Sequence, residues 1–327
     1  MVLPVLQYDN KYFEYVASNG YFLLKLNYFC PMQLIHRYTG HVGSVYALAQ
    51  AGNGSFFSGG GDRIVARWSL EAPADGDLIA RATDAVYSLC HLPQADRLLI
   101  GQGKGGVHVI HLAENSEERL LQLHDGAVFD IAYHSPSNRL FTLGGEGGVC
   151  ALSADDFQVE QRIRLTEKKV RVICFHPESP VALVGIGDGS IALIDILSLK
   201  VLHRFQAHQE DFSVNAITFS PDGKYFMSGS RDAHLHLYET ETLKLVSSIP
   251  AHNYAVYAIA FDPSGRFFAT ASRDKTVKIW DYEKMEVLER LEGNDGKGHI
   301  NSVNKLIWLA DGTLLSAGDD RAIQSWK

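Results

Sequence analysis

Histidine, hydroxyl and carboxylate side chains recur along this chain in an order that could support hydrolytic chemistry. His41, Ser58 and Asp62 supply the three side-chain types with which a serine hydrolase activates its nucleophile. The same types return three more times at similar spacing. Because such an enzyme needs one activated nucleophile, the repetition favours a structural role for these side chains, and we expect no catalytic residues.

An aromatic residue stands six positions after the acid in each of these sets, which we call tetrads. The tetrads are His41, Ser58, Asp62 and Trp68; His208, Ser228, Asp232 and Tyr238; His252, Thr270, Asp274 and Trp280; and His299, Ser316, Asp320 and Trp326. Two related segments lack the histidine, and there the hydroxyl position holds Ile100 or Val184. A buried polar group costs free energy unless it is hydrogen-bonded, so this joint loss indicates one shared hydrogen-bond chain.

Two other patterns could bind a metal or a phosphate, and both are weak. His234 and His236 would place two imidazoles on one face of a strand, but the neighbouring sequence offers no evident third ligand. Residues 101–106 are rich in glycine, yet they lack the spacing of a phosphate loop and open no helix. We therefore expect neither a metal nor a cofactor.

The elements that position these side chains form a repeat of strands. The repeats begin at residues 41, 84, 124, 168, 208, 252 and 299, and steps of 40 to 47 residues match a four-stranded propeller blade. In the repeat that begins at His252, strand-like runs cover 255–261, 266–272 and 276–280. Short strands at regular spacing, without helical periodicity, predict an all-β protein.

The same residues resemble the tryptophan-aspartate (WD) repeat family. The residue pairs that look like its Gly-His dipeptide are Gly40-His41, Ala207-His208, Ala251-His252 and Gly298-His299, and Trp280-Asp281 looks like its namesake. The resemblance covers residues 32–327. It implies a seven-bladed β-propeller of four-stranded antiparallel blades, with strands a to d running outward from the axis, and it implies that the tetrads are buried and structural.

Closure of the ring must involve both ends of this sequence. The last repeat reaches Lys327 directly after its third strand, and residues 33–38 resemble residues 201–205, which stand in an outer-strand position. An open ring would leave two unpaired sheet edges. We therefore expect the N-terminal segment to supply the outer strand of the last blade.

Residues 1–31 differ from the rest, because they are rich in Tyr and Phe and contain no tetrad. We expect an atypical N-terminal extension at residues 1–31 and the propeller at residues 32–327. Three alternatives remain open. The natural protein starts at Met32, the extension packs on the outside of the propeller, or residues 12–16 and 21–27 are strands of an eighth blade.

The resemblance also implies a partner-binding face at the narrow top of the propeller, where strand a and the turn before strand c converge. One candidate follows a recurrent valine of strand a in each repeat, and an arginine precedes the turn acid in two repeats. The predicted partner-binding residues are Tyr46, Tyr87, Phe129, Arg171, Asn215, Arg231, Tyr257, Arg273 and Asn304. Aromatic and Arg side chains dominate interface energetics, and Arg suits an acidic or phosphorylated peptide. The alternative is that the aromatic residues pack between blades or line the channel.

Composition narrows the class of function. A net charge of −8 argues against general nucleic-acid binding, which depends on neutralising phosphates. Without an apolar run of about 18 residues or a secretory leader, we expect a cytoplasmic monomer that does not enter membranes. The predicted function is a non-catalytic scaffold that binds a protein or peptide on its top face. The alternatives are an enzyme or small-ligand binder that uses the axial pocket, and a structural subunit of a larger assembly.

Overall fold

Strands make up nearly all of the regular secondary structure, as the repeat predicts. The computed structural model describes residues 11–18, 21–52, 54–73, 76–293 and 298–327, with side chains from residue 29 onward. The chain divides into the compact units Met1–Gln33 and Leu34–Lys327. Each unit is described in turn.

The first unit contains an antiparallel hairpin of β1 (Lys11–Ser18) and β2 (Tyr21–Tyr28). Both segments that could have belonged to an eighth blade are thus strands. In the part of the chain that is described, however, they pair only with each other. The propeller has seven blades, and the eight-bladed alternative is wrong.

The second unit contains the seven four-stranded blades. Blade 1 comprises β4 (Val45–Gly52), β5 (Ser55–Gly60), β6 (Ile64–Ser69) and β7 (Asp77–Arg81). Blade 2 comprises β8 (Val86–Leu92), β9 (Arg97–Gln102), β10 (Gly106–His111) and β11 (Ser116–Gln122). Blade 3 comprises β12 (Val128–His134), β13 (Arg139–Gly144), β14 (Gly148–Ser153) and β15 (Val159–Arg164), with a 3-10 turn at Ser135–Ser137. Blade 4 comprises β16 (Val170–Phe175), β17 (Val181–Ile186), β18 (Ser190–Asp195) and β19 (Val201–Gln206).

The remaining three blades follow in the same order of strands a to d. Blade 5 comprises β20 (Val214–Phe219), β21 (Tyr225–Ser230), β22 (His234–Glu239) and β23 (Leu245–Pro250). Blade 6 comprises β24 (Val256–Phe261), β25 (Phe267–Ser272), β26 (Val277–Asp281) and β27 (Glu286–Leu291). Blade 7 comprises β28 (Val303–Trp308), β29 (Leu314–Gly318) and β30 (Ile323–Trp326), with β3 (Leu34–Tyr38) as its outer strand.

The pairing of β3 with β30 closes the ring, and this confirms the predicted closure. The two strands are antiparallel, with Tyr38 opposite Ile323 and Leu34 opposite Trp326. The Tyr38 side chain is fully buried, and its ring lies 5.0 Å from that of Phe56 in blade 1. The closing strand therefore completes one blade and also packs against the next.

A close approach between neighbouring blades explains why valine recurs at the start of strand a. A Cβ atom added to Gly59 would lie 2.6 Å from Cγ1 of Val86 in the next blade, and one added to Gly229 would lie 2.6 Å from Cγ1 of Val256. Each valine is fully buried against the small residue of strand b. This packing fixes strand a, and with it the residue that follows the valine.

Candidate functional site

Complete tetrads form in blades 1, 6 and 7 as continuous hydrogen-bond chains. In blade 1, Trp68 Nε1 donates to Ser58 Oγ at 2.7 Å, and His41 lies 2.7 Å from Ser58 Oγ through Nε2 and 2.8 Å from Asp62 Oδ2 through Nδ1. An indole N–H can only donate, so the Ser58 hydroxyl donates to Nε2 and the Nδ1–H donates to the carboxylate. The hydroxyl is therefore engaged on both sides.

Blades 6 and 7 repeat this geometry closely. The corresponding distances, in the order aromatic to hydroxyl, hydroxyl to histidine and histidine to acid, are 2.9, 2.8 and 2.9 Å in blade 6 and 2.9, 2.9 and 2.8 Å in blade 7. Burial by itself would raise the pKa of the tetrad aspartates. Hydrogen bonds from histidine and backbone N–H groups outweigh it, so the pKa values of Asp62, Asp232, Asp274 and Asp320 lie below 3.8.

Blade 2 holds a different buried network where the tetrad is missing. His108 lies 3.1 Å from Gln102 Oε1 and 2.9 Å from Glu117 Oε1, and the Thr83 hydroxyl donates to Gln102 at 2.9 Å. The sequence did not predict this network, because its residues stand outside the tetrad positions. Blade 2 therefore has buried polar residues, but not at the positions of the tetrad.

Blade 5 departs from the tetrad at its aromatic member. His208 lies 2.9 Å from Asp232 and 2.8 Å from Ser228, but the Tyr238 hydroxyl donates to the Ala207 carbonyl at 2.6 Å instead of reaching Ser228. The His236 ring stacks on His208 with centroids 4.1 Å apart. Two histidines therefore lie together where the other tetrads have one.

A β-bulge follows the recurrent valine of strand a in every blade. The register of strand a slips between the valine and the second residue after it in all seven blades. The skipped residues are Tyr46, Tyr87, Phe129, Arg171, Asn215, Tyr257 and Asn304. A bulge of this kind re-aims the extra side chain. All seven are partly buried, unlike the fully buried valines before them.

Four of these side chains form a continuous series across blades 1 to 4. The Tyr46 and Tyr87 rings stack at 5.2 Å, Tyr87 meets Phe129 edge-on at 5.6 Å, and the Arg171 guanidinium lies 4.6 Å from the centre of the Phe129 ring. Arg171 also interacts electrostatically with Tyr257. Five predicted residues therefore lie together, and they pack against neighbouring blades as well as facing the channel.

The two asparagines are engaged in holding blades together. Asn215 Nδ2 donates to the Val256 carbonyl at 3.1 Å, and Asn304 Nδ2 donates to the Val45 carbonyl at 3.1 Å. In each case the acceptor is the recurrent valine of the next blade. Their amides bridge blades 5 to 6 and 7 to 1.

The two remaining predicted residues, Arg231 and Arg273, stack on aromatic residues outside the bulges. Arg231 lies 5.7 Å from the centre of the Phe212 ring and Arg273 6.0 Å from that of Tyr254, and both arginines are exposed. Phe212 and Tyr254 each stand two residues before the valine. Of the three arginines, only Arg171 therefore stacks on a bulged side chain.

Lys169 was missed from the sequence, because it precedes the recurrent valine instead of following it. Burial lowers its pKa, and the positive charges of Arg171 and Arg231 lower it further. Burial also lowers the pKa of Arg171, whose Nε is buried without a hydrogen-bond partner among the described residues. Three cations thus repel one another between the aromatic series and the rim.

Deeper in the ring, Asp130 follows Phe129 on β12. Burial raises its pKa, while Lys305 and a 3.1 Å hydrogen bond from the Ile173 N–H act in the opposite direction. Opposite charges therefore interact below the aromatic series. This pair was not anticipated from the sequence.

Comparison with known proteins agrees with the geometry. The family model described as WD domain, G-beta repeat, matches residues 32–69, 199–239, 243–281 and 288–327, the four segments that contain the four tetrads. The solved structure of the WD40 beta propeller domain of Doa1 is similar to this one, with a TM-score of 0.81 and 17% sequence identity, covering 91% of this chain and 98% of that chain. No curated protein sequence matches this chain. The family model thus identifies four WD repeats in this chain, and the seven blades together have the β-propeller fold of the similar structure.

Proposed function

We propose that this protein is a non-catalytic scaffold that binds an acidic or phosphorylated segment of a partner protein at the channel mouth. The mouth surface is defined as Tyr46, Tyr87, Phe129, Lys169, Arg171, Arg231 and Tyr257. The observation that carries the proposal is the grouping of Lys169, Arg171 and Arg231, in which burial lowers the pKa of Lys169 and the positive charges of the two arginines lower it further. Perturbed ionisable groups of this kind concentrate at functional sites.

The charge balance of the molecule makes this grouping distinctive. The chain as a whole carries a net charge of −8, yet its mouth surface gathers three cations. A bound carboxylate or phosphate would offset their mutual repulsion and accept charge-assisted hydrogen bonds. The adjacent aromatic series would supply apolar contact area next to the charged anchor.

Burial and saturation of the tetrad hydroxyls support a non-catalytic role. Ser58, Thr270 and Ser316 are fully buried, and each is bonded to both an imidazole and an indole. An attacking nucleophile must reach its substrate. An enzyme or ligand binder that uses the axial pocket would need convergent acids or histidines at the mouth, where this surface has aromatic and cationic groups.

The wider organisation is proposed on similar grounds. We take residues 32–327 as the propeller and residues 1–31 as an extension to it. Cys90 and Cys150 are buried free thiols, as suits a reducing cytoplasm. Among the described residues, no helix is long and apolar enough to cross a bilayer. The acidic net charge disfavours general nucleic-acid binding. We take the protein to be a monomer.

A panel of matched peptides tests the proposal by fluorescence polarisation. Each sequence is made with serine, glutamate or phosphoserine at the same positions, and a lysine version serves as the charge-reversed probe. We expect the acidic and phosphorylated forms to bind best, and each of Lys169→Met, Arg171→Met and Arg231→Met to weaken binding at least about tenfold. Arg273→Met should have a smaller effect, since Arg273 lies outside the mouth surface.

A control variant separates local recognition from net charge. Arg67, Arg119 and Arg290 form exposed ion pairs with their own acidic neighbours away from the mouth surface. Replacing all three by Ala removes three positive charges. A mouth variant that combines Lys169→Met, Arg171→Met and Arg231→Met removes the same number. If this control weakens binding as much as the mouth variant does, or if neutral and lysine peptides bind as well as acidic ones, the proposal fails.

A further inference from the structure

Beyond the mouth surface, we propose that Asp232, His234 and His236 in blade 5 bind a divalent transition-metal ion such as Zn²⁺. The site shares Arg231 with the mouth surface, but metal binding does not depend on the proposed peptide binding. From the sequence, the two histidines offered half of a site without a third ligand. In the structure, the turn between β21 and β22 adds the missing carboxylate.

Both histidines have their ring nitrogens oriented as in metal-ligating imidazoles. His234 Nδ1 lies 2.9 Å from the Asp232 carbonyl, and His236 Nδ1 lies 2.7 Å from the Ala207 carbonyl. A carbonyl oxygen can only accept, so each Nδ1 carries the proton and each Nε2 keeps its lone pair. An N–H anchored on a backbone carbonyl is the usual outer-shell contact of a histidine bound to metal.

The two imidazoles also lie on the same side of β22. They are two residues apart on one strand, so both side chains project from the same face, and their ring centroids are 6.0 Å apart. Tetrahedral Zn²⁺ with bonds of about 2.0–2.1 Å needs its two nitrogen ligands roughly 3.3 Å apart. Binding of the ion would therefore require rotation of the His234 and His236 side chains toward each other.

Asp232 supplies an anionic oxygen at the same place. The ligand atoms of His208, Asp232 and His236 lie within 4.8 Å of one another. Both nitrogens of His208 are already used, at 2.9 Å to Asp232 and 2.8 Å to Ser228. His208 therefore serves to orient the Asp232 carboxylate, and Asp232 and His236 are left as ligands. The neighbouring His234 imidazole lies outside this cluster and would join them by rotation of its side chain.

The three residues open into a pocket of about 480 Å³ between blades 5 and 6. Arg231 and Asn253 line the same pocket. Three protein ligands leave the fourth position of a tetrahedral ion for water or an exogenous anion, and Arg231 would favour an anion there. Nitrogen and carboxylate ligands together suit Zn²⁺ and its neighbours in the first transition series.

No other blade has histidine at both positions. The residues that correspond to His234 are Ile64, Gly106, Gly148, Ser190, Thr276 and Ala322, and those that correspond to His236 are Ala66, His108, Cys150, Ala192, Lys278 and Gln324. These residues supply substitutions that the fold already accepts. The double variant His234→Thr, His236→Ala places the residues of blades 6 and 1 in blade 5.

Metal titration of protein that carries no affinity tag tests the site. Protein stripped with a chelator is titrated with Zn²⁺ by calorimetry, and with Co²⁺ while the visible absorption of four-coordinate cobalt is recorded. We expect one ion per chain for the wild type and at least about tenfold weaker binding for the double variant. Asp232→Asn should weaken binding too, and it should alter the Co²⁺ spectrum.

His108→Ala is the matched control, because His108 corresponds to His236 and both its nitrogens are occupied by Gln102 and Glu117. It should bind Zn²⁺ like the wild type. Circular dichroism before titration verifies that each variant is folded. The proposal is overturned if the wild type takes up no stoichiometric ion, or if the folded double variant binds it as tightly as the wild type does.

Discussion

Blades 5 and 6 are neighbours that share the His–hydroxyl–Asp frame and complete it differently. In blade 6, Trp280 donates to Thr270 at 2.9 Å and the Lys278 amine donates to the Ala251 carbonyl. In blade 5, Tyr238 does not reach Ser228, and its hydroxyl takes over the carbonyl of Ala207 at 2.6 Å. The carbonyl that precedes the tetrad histidine is satisfied in both blades, but by different groups.

This comparison separates what the fold requires from what it leaves free. Both blades keep the histidine between a hydroxyl and an aspartate, because each of these groups is buried and must be paired. The strand c position beside the histidine can supply a donor for the carbonyl that precedes it, although blade 1 keeps its tetrad with Ala66 there. Lys278 fills it in blade 6, His236 in blade 5 and Gln324 in blade 7. Chemistry can therefore vary there without loss of the tetrad.

Removing the central hydroxyl should distinguish the two blades most strongly. Thr270→Val leaves both the Trp280 N–H and His252 Nε2 without partners, so we expect a loss of about 2–4 kcal/mol in the free energy of unfolding. Ser228→Ala leaves only His208 without its hydroxyl partner, so we expect a smaller loss of about 1–2 kcal/mol in the free energy of unfolding. Urea unfolding followed by circular dichroism measures both. Equal losses would show that the missing indole bond in blade 5 is replaced in some other way.

Acid unfolding should reveal how much the Thr276 hydroxyl contributes to the stability of blade 6. Burial alone would raise the pKa of Asp274, but hydrogen bonds from His252 and Thr276 hold it below 3.8. Its stabilising contribution is therefore present above about pH 3.8 and lost as the pH falls through the folded value. Thr276→Ala removes one of these hydrogen bonds, so the pKa of Asp274 should rise and acid unfolding should begin at higher pH. The free energy of unfolding should fall by up to about 1.4 kcal/mol for each unit by which that pKa rises.

Burial of His252 adds to the same trend at milder pH. It lowers the pKa of His252 below 6.5, so protonation favours the unfolded chain and stability declines as the pH drops below about 6.5. Nitrogen NMR should find the proton of the neutral imidazole on Nδ1 and should place the titration of His252 below that of an exposed histidine. An acid midpoint unaffected by Thr276→Ala would contradict the role given to the hydroxyl.

Much of this architecture could be predicted, because it rests on spacing. The period of the repeats predicted seven blades, although the strand-like residues 12–16 and 21–27 left an eighth open, and the likeness of residues 33–38 to 201–205 located the closing strand. The recurrent valine pointed to the bulged residues, since it packs against a glycine of the neighbouring blade. Position along a repeat specifies which residues correspond, and strand register carries that correspondence into space.

Correspondence between repeats does not predict contacts between residues that stand at different positions of the repeat. Arg231 and Arg273 stack on Phe212 and Tyr254, because the turns that carry them approach the loop before strand a instead of the bulge. Lys169 was overlooked for a related reason, as its neighbour Arg231 is contributed by another blade. The proximity of Lys169 and Arg231 depends on the rotation between blades, which no single repeat encodes.

Tyr238→Trp should make blade 5 resemble blade 6. An indole at this position can donate to Ser228, as Trp280 does to Thr270, and His236 still donates to the Ala207 carbonyl. We expect a gain of about 0.5–1.5 kcal/mol in the free energy of unfolding. Urea unfolding tests this, with Tyr238→Phe, which lacks any donor, as the matched control. A loss equal to that of the Phe variant would mean that blade 5 cannot accommodate the indole.

Lys278→Gln should have the smallest effect of these changes. Burial lowers the pKa of Lys278, so the folded protein holds its ammonium group at a cost that the bond to the Ala251 carbonyl offsets. In blade 7 the corresponding Gln324 donates to the Gly298 carbonyl at 3.0 Å without a charge. Glutamine should therefore keep the hydrogen bond and avoid the cost of burying a charge, leaving stability within about 0.5 kcal/mol of the wild type. Lys278→Met keeps the stem and removes the donor, so it should be less stable than the Gln variant. The opposite order would show that the carbonyl needs no protein donor, and that this strand c position is even freer than the comparison of the two blades implies.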